Sequence, residues 1–332
     1  MVRQDNNIIF VAIRVIIPVF MKKLFNLLLA ALLVAGVSSC AKEDMSYIDN
    51  SSVVVTFSAS LDQVYTRATN YGKGENINTL YYRIFDATTN EALTDLNGTA
   101  TRLDNGSFKF SVEMIKGMTY DIALWAQDSL CTAYRLNDKV VEIDYNNALA
   151  NDDKRDAFCN YIDEVTTDSP ELQQSIKLTR PFAQFNAASS TQDFTNTEAN
   201  GLTLTESSLT LNAFTKYNIE TKEATDVQTV TFGKNTMPCL NGEEEILQAN
   251  YKYLAMCYLP APKDGGTINM VTLNVHGTNA SNQIVTLTSE YNNVPIKQNF
   301  RTNILGMLLS QSTSFTASIE YGWAGPDENV NK

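Results

Sequence analysis

Histidine is almost absent from this 332-residue chain, which carries one, His276. That scarcity excludes histidine-rich zinc sites, and a Ser-His-Asp triad would have to be built on this residue alone. Cysteine is sparse as well: Cys40, Cys131, Cys159, Cys239 and Cys257, with no C-x-x-C pair. No P-loop, dinucleotide fingerprint or EF-hand loop occurs, and no repeat of the 20–50-residue class is visible. Basic residues are outnumbered, 25 Lys and Arg against 37 Asp and Glu, for a net charge of −12. Such a balance repels phosphate backbones and disfavours nucleic acid as a partner. No apolar run reaches the ~20 residues of a spanning helix. Residues 24–37 contain Asn26 and are broken by Gly36, and residues 8–20 hold Arg14 and Pro18.

What the first forty residues do contain is an export signal. Lys22 and Lys23 precede an apolar stretch that ends in Leu33-Val34-Ala35-Gly36-Val37-Ser38-Ser39-Cys40. A basic start, a short apolar core, small residues and a cysteine are the layout of a bacterial lipoprotein signal, with Cys40 as the acylated residue. Each buried acyl methylene contributes about 0.8 kcal/mol, so several chains hold a protein at a membrane surface. Residues 1–20 read as an upstream mis-start before Met21, and 21–39 as the signal peptide; the rival is a pair of short membrane segments. From Cys40 onward the net charge is −15, because residues 1–39 carry a net +3.

The remaining chain reads as strands. Runs at 53–59, 80–86, 108–112 and 120–126 are β-branched or aromatic and punctuated by Asn, Asp or Gly. Strands so regularly spaced point to β-sandwiches. Asn97-Gly98, Gly265-Gly266 and His276-Gly277 read as turns. Asn151-Asp152-Asp153 reads as the cap of a short helix over 154–161. Residues 175–186 form a long extended run in which Pro181 marks an edge or crossover. The second half continues with runs at 202–204, 209–214, 227–232, 251–259, 267–275, 284–287, 300–305 and 315–323. The expected class is therefore all-β, two sandwiches with a short helical insertion. Residues 40–67 are a leader with a first strand, 68–184 the N-terminal sandwich, and 185–332 the C-terminal sandwich with a polar tail.

Little chemistry stands out. His276 reads as a turn-edge residue, Glu243-Glu244-Glu245 as an exposed loop, and the 15 Tyr, 15 Phe and 2 Trp chiefly as core. Cys257 lies in an apolar alternating run and reads as a buried small hydrophobe. A disulfide, for example between Cys131 and Cys159, is not established by spacing. No enzyme activity, cofactor or metal is expected.

The order of features resembles the Bacteroidota fimbrillins, subunits of pili sometimes called type V. The likeness is carried by the lipobox followed by Ala41-Lys42-Glu43-Asp44, which is similar to that phylum's surface-export signal. A first strand and Thr66-Arg67-Ala68-Thr69 come next. Tyr120 to Gln127, Arg155-Asp156-Ala157-Phe158, Arg180-Pro181-Phe182-Ala183-Gln184 and Asn299 to Leu309 follow. The resemblance implies transthyretin-like sandwiches and assembly by donor-strand exchange with other pilin subunits. It implies cleavage between Arg67 and Ala68, and release of the first strand together with the outer-membrane lipid on Cys40. A candidate donor strand is the last run, with Phe315, Ala317, Ile319, Tyr321 and Trp323 on one face. It equally reads as an ordinary last strand, which would make the chain a tip, anchor or non-polymerising subunit. Asp128-Ser129-Leu130 resembles the phylum's O-glycosylation pattern at Ser129. The leading expectation is a fimbrial subunit at the cell surface, supporting adhesion to a host or bacterial surface ligand. The alternative is a lipid-anchored binding module, for example for glycans, that does not polymerise.

Overall fold

The computed structural model describes residues 51–62, 71–168, 173–241, 246–310 and 315–320. The chain opens with β1 (Ser52–Leu61), β2 (Thr79–Asp86), β3 (Gly98–Thr101), β4 (Ser107–Ile115) and β5 (Thr119–Gln127). A hairpin, β6 (Tyr134–Asn137) and β7 (Val140–Ile143), precedes β8 (Ala157–Thr166) and β9 (Gln173–Leu178). Then come β10 (Phe182–Ser190), helix α1 (Thr191–Ala199), β11 (Thr203–Asn218), β12 (Glu223–Thr236), β13 (Ile246–Gln248) and β14 (Tyr251–Pro260). The remainder is β15 (Gly266–Ile268), β16 (Val271–Thr278), β17 (Ile284–Tyr291), β18 (Val294–Ile296), β19 (Arg301–Gly306) and β20 (Phe315–Glu320).

The all-β class is as expected. Sheet β4-β1-β9 packs on sheet β3-β2-β5-β8 around one core that includes Val55, Phe57, Ile84, Phe108, Leu124 and Phe158. Sheet β13-β14-β10-β19-β20 packs on sheet β17-β16-β11-β7-β6, with β12 paired to β11, around a second core that includes Phe185, Leu209, Phe232, Leu259 and Ile304. A third apolar layer, with Trp125, Cys159, Phe182, Tyr217, Tyr253 and Tyr258, joins the outer faces of the two sandwiches.

This layering explains why β5 and β14 read as almost unbroken apolar runs. Successive side chains of a strand face opposite ways. On β5, Ile122, Leu124 and Ala126 enter the first core, while Ala123 and Trp125 enter the joining layer. On β14, Cys257 and Leu259 enter the second core, while Met256 and Tyr258 enter the joining layer.

The extended run 175–186 is two strands in two sandwiches, broken at Pro181, where the chain crosses between them. The 184/185 division falls inside β10, and the hairpin β6-β7 pairs with β11 of the second sandwich. The helix expected over 154–161 does not form. Asp152 caps only a 3-10 turn, Asp153–Arg155, by accepting from the Lys154 amide at 3.1 Å. Strand β8 follows at once, because Phe158 is drawn into the first core while Ala157 and Cys159 face the joining layer. The helix is instead α1, capped by Ser190, whose hydroxyl accepts from the Asp193 amide at 3.2 Å.

Two expected turns are also strand. Gly98 begins β3, and His276 and Gly277 lie inside β16, opposite an irregularity in β11 between Leu204 and Glu206. A Cβ on Gly277 would overlap the Thr203 carbonyl. Sharp connections use asparagine at positive φ, among them Asn90, Asn147, Asn250, Asn282 and Asn293. Its short amide side chain tolerates the left-handed region.

Candidate strand-exchange site

β1 is the central strand of its sheet. It pairs antiparallel with β4 from Ser52↔Ile115 to Ser60↔Ser107, and parallel with β9 from Thr56↔Gln173 to Leu61↔Leu178. Both backbone edges are therefore engaged. Val53, Val55, Phe57 and Ala59 face inward, and Val55, Phe57 and Ala59 are fully buried. Phe57 stacks on Phe110 with ring centroids 4.9 Å apart, and Phe110 stacks on Tyr82 at 4.3 Å. Burying side chains the size of Val55 or Phe57 contributes about 1.5–3 kcal/mol each. Removing β1 would open the first core and expose two unpaired strand edges, a template for another strand.

The chain on either side of the expected cleavage position is tied to one place. Cys40, Arg67 and Ala68 lie outside the described residues. On the N-terminal side, the Asp62 amide donates to the Leu178 carbonyl at 2.7 Å, and the Asp62 carboxylate pairs with Lys177 at 2.7 Å. On the C-terminal side, Gly72 accepts from Arg180 through its carbonyl and donates its amide to Asp153 Oδ1 at 2.8 Å. The Tyr71 carbonyl accepts from Arg301 at 3.2 Å. Leu178 and Arg180 are two residues apart, so both flanks meet at the β9–β10 crossover.

Arg180 is the centre of that anchor. It donates to Asp156 through Nε at 2.9 Å and Nη2 at 2.9 Å, and both side chains are 1% exposed. Its guanidinium lies 4.1 Å over the Phe158 ring. Asp153 also accepts from the Tyr258 hydroxyl at 2.5 Å. Burial, with Asp156 nearby, pushes the Asp153 carboxyl up to about 6. Three of the sequence segments that carried the fimbrillin resemblance thus meet here, through Asp156, Arg180 and Arg301. The fourth supplies Trp125, edge-on to Phe182 at 6.0 Å. Sequence spacing did not reveal this convergence, because the four segments are scattered between residues 120 and 309.

Of the candidate donor residues, Phe315, Ala317 and Ile319 are described, while Tyr321 and Trp323 lie outside the described residues. β20 is an edge strand, antiparallel to β19 from Arg301↔Glu320 to Gly306↔Phe315. Phe315 is 38% exposed and edge-on to Tyr291 at 4.8 Å.

Other expectations fall as follows. Cys131, Cys159, Cys239 and Cys257 are all buried, and the Cys131–Cys159 bridge is not formed. Burial pushes the Cys159 thiol up to about 12. His276 is buried rather than turn-edge. Its Nε2 lies 2.9 Å from Ser208 Oγ, and its Nδ1 lies 3.1 Å from Thr286 Oγ1. Here a hydroxyl occupies the place a carboxylate takes in a triad. Ser129 is exposed on the turn after β5, where Asp128 Oδ1 accepts from the Leu130 amide at 2.9 Å. Glu243, Glu244 and Glu245 lie outside the described residues. Among the described residues, no group of three His, Cys, Asp or Glu side chains is placed to hold a metal.

A family model described as "Family of unknown function (DUF6562)" matches residues 48–332. The chain belongs to this family. No curated protein matches it. The DUF6562 chain is similar to a C-terminally truncated tip fimbrial protein, Mfa3, of Porphyromonas gingivalis, at 10% identity and a TM-score of 0.44, covering 81% of this chain and 99% of that one. It is also similar to a candidate polysaccharide-binding protein (DUF1812) of Bacteroides thetaiotaomicron, at 10% identity and a TM-score of 0.47, covering 82% and 96%. A candidate cell adhesion protein of Bacteroides ovatus gives 13% identity and a TM-score of 0.46, covering 80% and 96%.

Proposed function

We propose that the chain is a structural subunit of a cell-surface fimbria, exported as a lipoprotein acylated at Cys40. Cleavage between Arg67 and Ala68 then frees β1 for replacement by a strand of another subunit, and the fibre supports adhesion. One observation carries this reading. β1 fills the centre of the first sandwich, yet both flanks of the cleavage position are fixed to the same crossover, at Leu178 and Arg180. A cut between them would free β1 from the rest of the chain while Tyr71 and Gly72 stay clamped. The groove left behind has two unpaired edges and an apolar floor, which is the chemistry that strand addition satisfies. The subunit role needs no catalytic group, cofactor or metal, and the acidic chain is not a nucleic-acid binder.

A second reading is favoured by the seat of β20 in its own sheet. A chain that keeps this strand at home, and keeps Cys40, would be a lipid-anchored binding module or a terminal subunit. N-terminal sequencing of protein sheared from the cell surface separates the two. Fibre protein starting at Ala68 is the expected result; an intact Cys40 in every surface form overturns the processing.

A further inference from the structure

Three turns of the chain meet around one buried amine. Lys139, in the β6–β7 turn, is 9% exposed. Its Nζ donates to Asn90 Oδ1 at 2.6 Å and to Glu220 Oε1 at 2.8 Å. It also lies 4.9 Å over the Phe85 ring and 5.0 Å over the Tyr161 ring, which shield it from water. Both oxygens are held by their own turns. Asn90 sits at φ +60° in the turn after β2, where its amide donates to the Asp86 carbonyl at 2.8 Å. Asp86 Oδ1 accepts from the Thr88 and Thr89 amides of the same turn at 2.8 and 2.9 Å. Glu220 lies in the β11–β12 turn, where Asn218 Oδ1 accepts from its amide at 2.9 Å. The Ile219 amide donates to the Lys139 carbonyl at 2.8 Å, which ties the turn bearing the carboxylate to the turn bearing the amine.

An ion pair needs only Lys139 and Glu220. Asn90 adds a carboxamide, and with it an electrophilic carbon. A C=O bond of about 1.23 Å puts that carbon within about 3.8 Å of Nζ, close to the ~3–3.5 Å at which positioned groups react. We propose that Lys139 and Asn90 join in an intramolecular isopeptide bond, with Glu220 as the acid–base group. Glu220 takes a proton from the Lys139 ammonium, and the Nζ lone pair attacks Asn90 Cγ. The Cγ–Nδ2 bond then breaks. Of the two protons that Nζ gives up, Glu220 carries one to Nδ2, and the other leaves with the ammonia as ammonium. An ammonium and a carboxamide become a secondary amide and an ammonium ion, so atoms and charge balance with no co-reactant. Asn90 is exposed at its turn, which gives the ammonia a way out. The bond spans the two sandwiches. Asn90 follows β2 of the first, and Lys139 precedes β7, which pairs with β11 of the second. It links positions 49 apart in sequence and closes the joining layer against a pull at either sandwich. This holds whether or not β1 is exchanged.

The test is tryptic mapping by mass spectrometry of the folded full chain, before and after prolonged incubation. Trypsin should release residues 84–102 joined to residues 136–154, uncut after Lys139, with a mass one ammonia below that of the two peptides together. Glu220→Gln should form the linked peptide at least about a hundredfold more slowly. The Glu220 side chain is 39% exposed, so the fold tolerates the change. Lys139→Arg keeps a cation over the two rings, and Asn90→Gly keeps the left-handed turn; neither should give the linked peptide. Separate peptides 84–102, 136–139 and 140–154 from incubated wild type overturn the proposal. So does an unlinked peptide 84–102 that is lighter by one ammonia, the mark of Asn90 closing on its own backbone. A linked peptide that forms as fast in Glu220→Gln as in wild type overturns Glu220 as the acid–base group.

Discussion

Arg180 and Asp156 form an ion pair in which both side chains are 1% exposed, held by three N–H···O bonds of 2.9–3.1 Å. The same guanidinium reaches the Gly72 carbonyl, so the pair couples the β9–β10 crossover to the chain just after the proposed cleavage position. Breaking it by removing one partner leaves a buried charge without compensation. Asp156→Asn is therefore expected to cost about 3–5 kcal/mol in denaturant unfolding. A paired replacement, Asp156→Leu with Arg180→Met, should cost much less, since two apolar groups of similar volume leave no stranded charge. Equal losses in the single and paired variants would show that the pair is not the source of the stability.

How far such relations can be read from sequence depends on their range. Strands β2, β4 and β5 follow from local β-branched and aromatic runs, and both ends of β1 were legible to within about a residue or two. The joining layer was hidden, because Ala123 and Trp125 look the same in sequence whether their sheet face meets solvent or a second domain. Asp152 sent an ordinary helix-cap signal at 152–155, and it was overridden when Phe158 found the first core. Helix α1 was missed because its face offers one apolar anchor, Phe194, with Asp193 and Thr197 buried beside it. The meeting of Asp156, Arg180, Arg301 and Gly72 has no local signal at all, for it joins residues up to 230 positions apart in the case of Tyr71 and Arg301.

Asp153 should make stability depend on pH. Burial, and Asp156 beside it, raise its carboxyl to about 6 from an ordinary 3.8. Between those values the folded chain holds the proton more tightly than the unfolded chain, so this residue's contribution to stability falls as pH rises from about 4 to about 6 and is flat above. Asp153→Asn keeps an uncharged acceptor for Gly72 and Tyr258 and loses the titration. The melting temperature of the variant relative to wild type should climb over that window and level off near pH 7. A difference independent of pH would mean that Asp153 titrates normally.

β1 should be separable from the rest of the fold. Phe57→Ala removes a fully buried ring and is expected to cost about 3–5 kcal/mol. Cleavage at Arg67 followed by loss of β1 should raise hydrogen exchange in β4 and β9, whose partner strand is gone. Amides of β10 and β14, central in the second sandwich, should stay protected. Exchange that rises equally in both sandwiches would mean that the two unfold together, and that loss of β1 cannot leave a stable acceptor groove.

Gly277 and Gly117 offer a contrast between two uses of glycine. Gly117 has φ +78° with nothing within 4 Å of a built Cβ, so Gly117→Ala meets only backbone strain, about 1–2 kcal/mol. Gly277 is strand-like, but its Cβ would overlap the Thr203 carbonyl and crowd Leu204 Cα, both backbone atoms that no rotamer change can move. Gly277→Ala must therefore push β16 from β11 at the irregularity beside Glu206. His276 is the adjacent residue and bridges Ser208 of β11 and Thr286 of β17. Its imidazole is held below the ordinary histidine range, chiefly by burial. Separating the strands should let in water and raise that pKa toward 6.5, followed by NMR titration of the only histidine ring. Gly117→Ala, far along the chain in the first sandwich, should leave the titration unchanged. A His276 pKa that stays put in Gly277→Ala would show that the strands hold together and that the crowding is absorbed elsewhere.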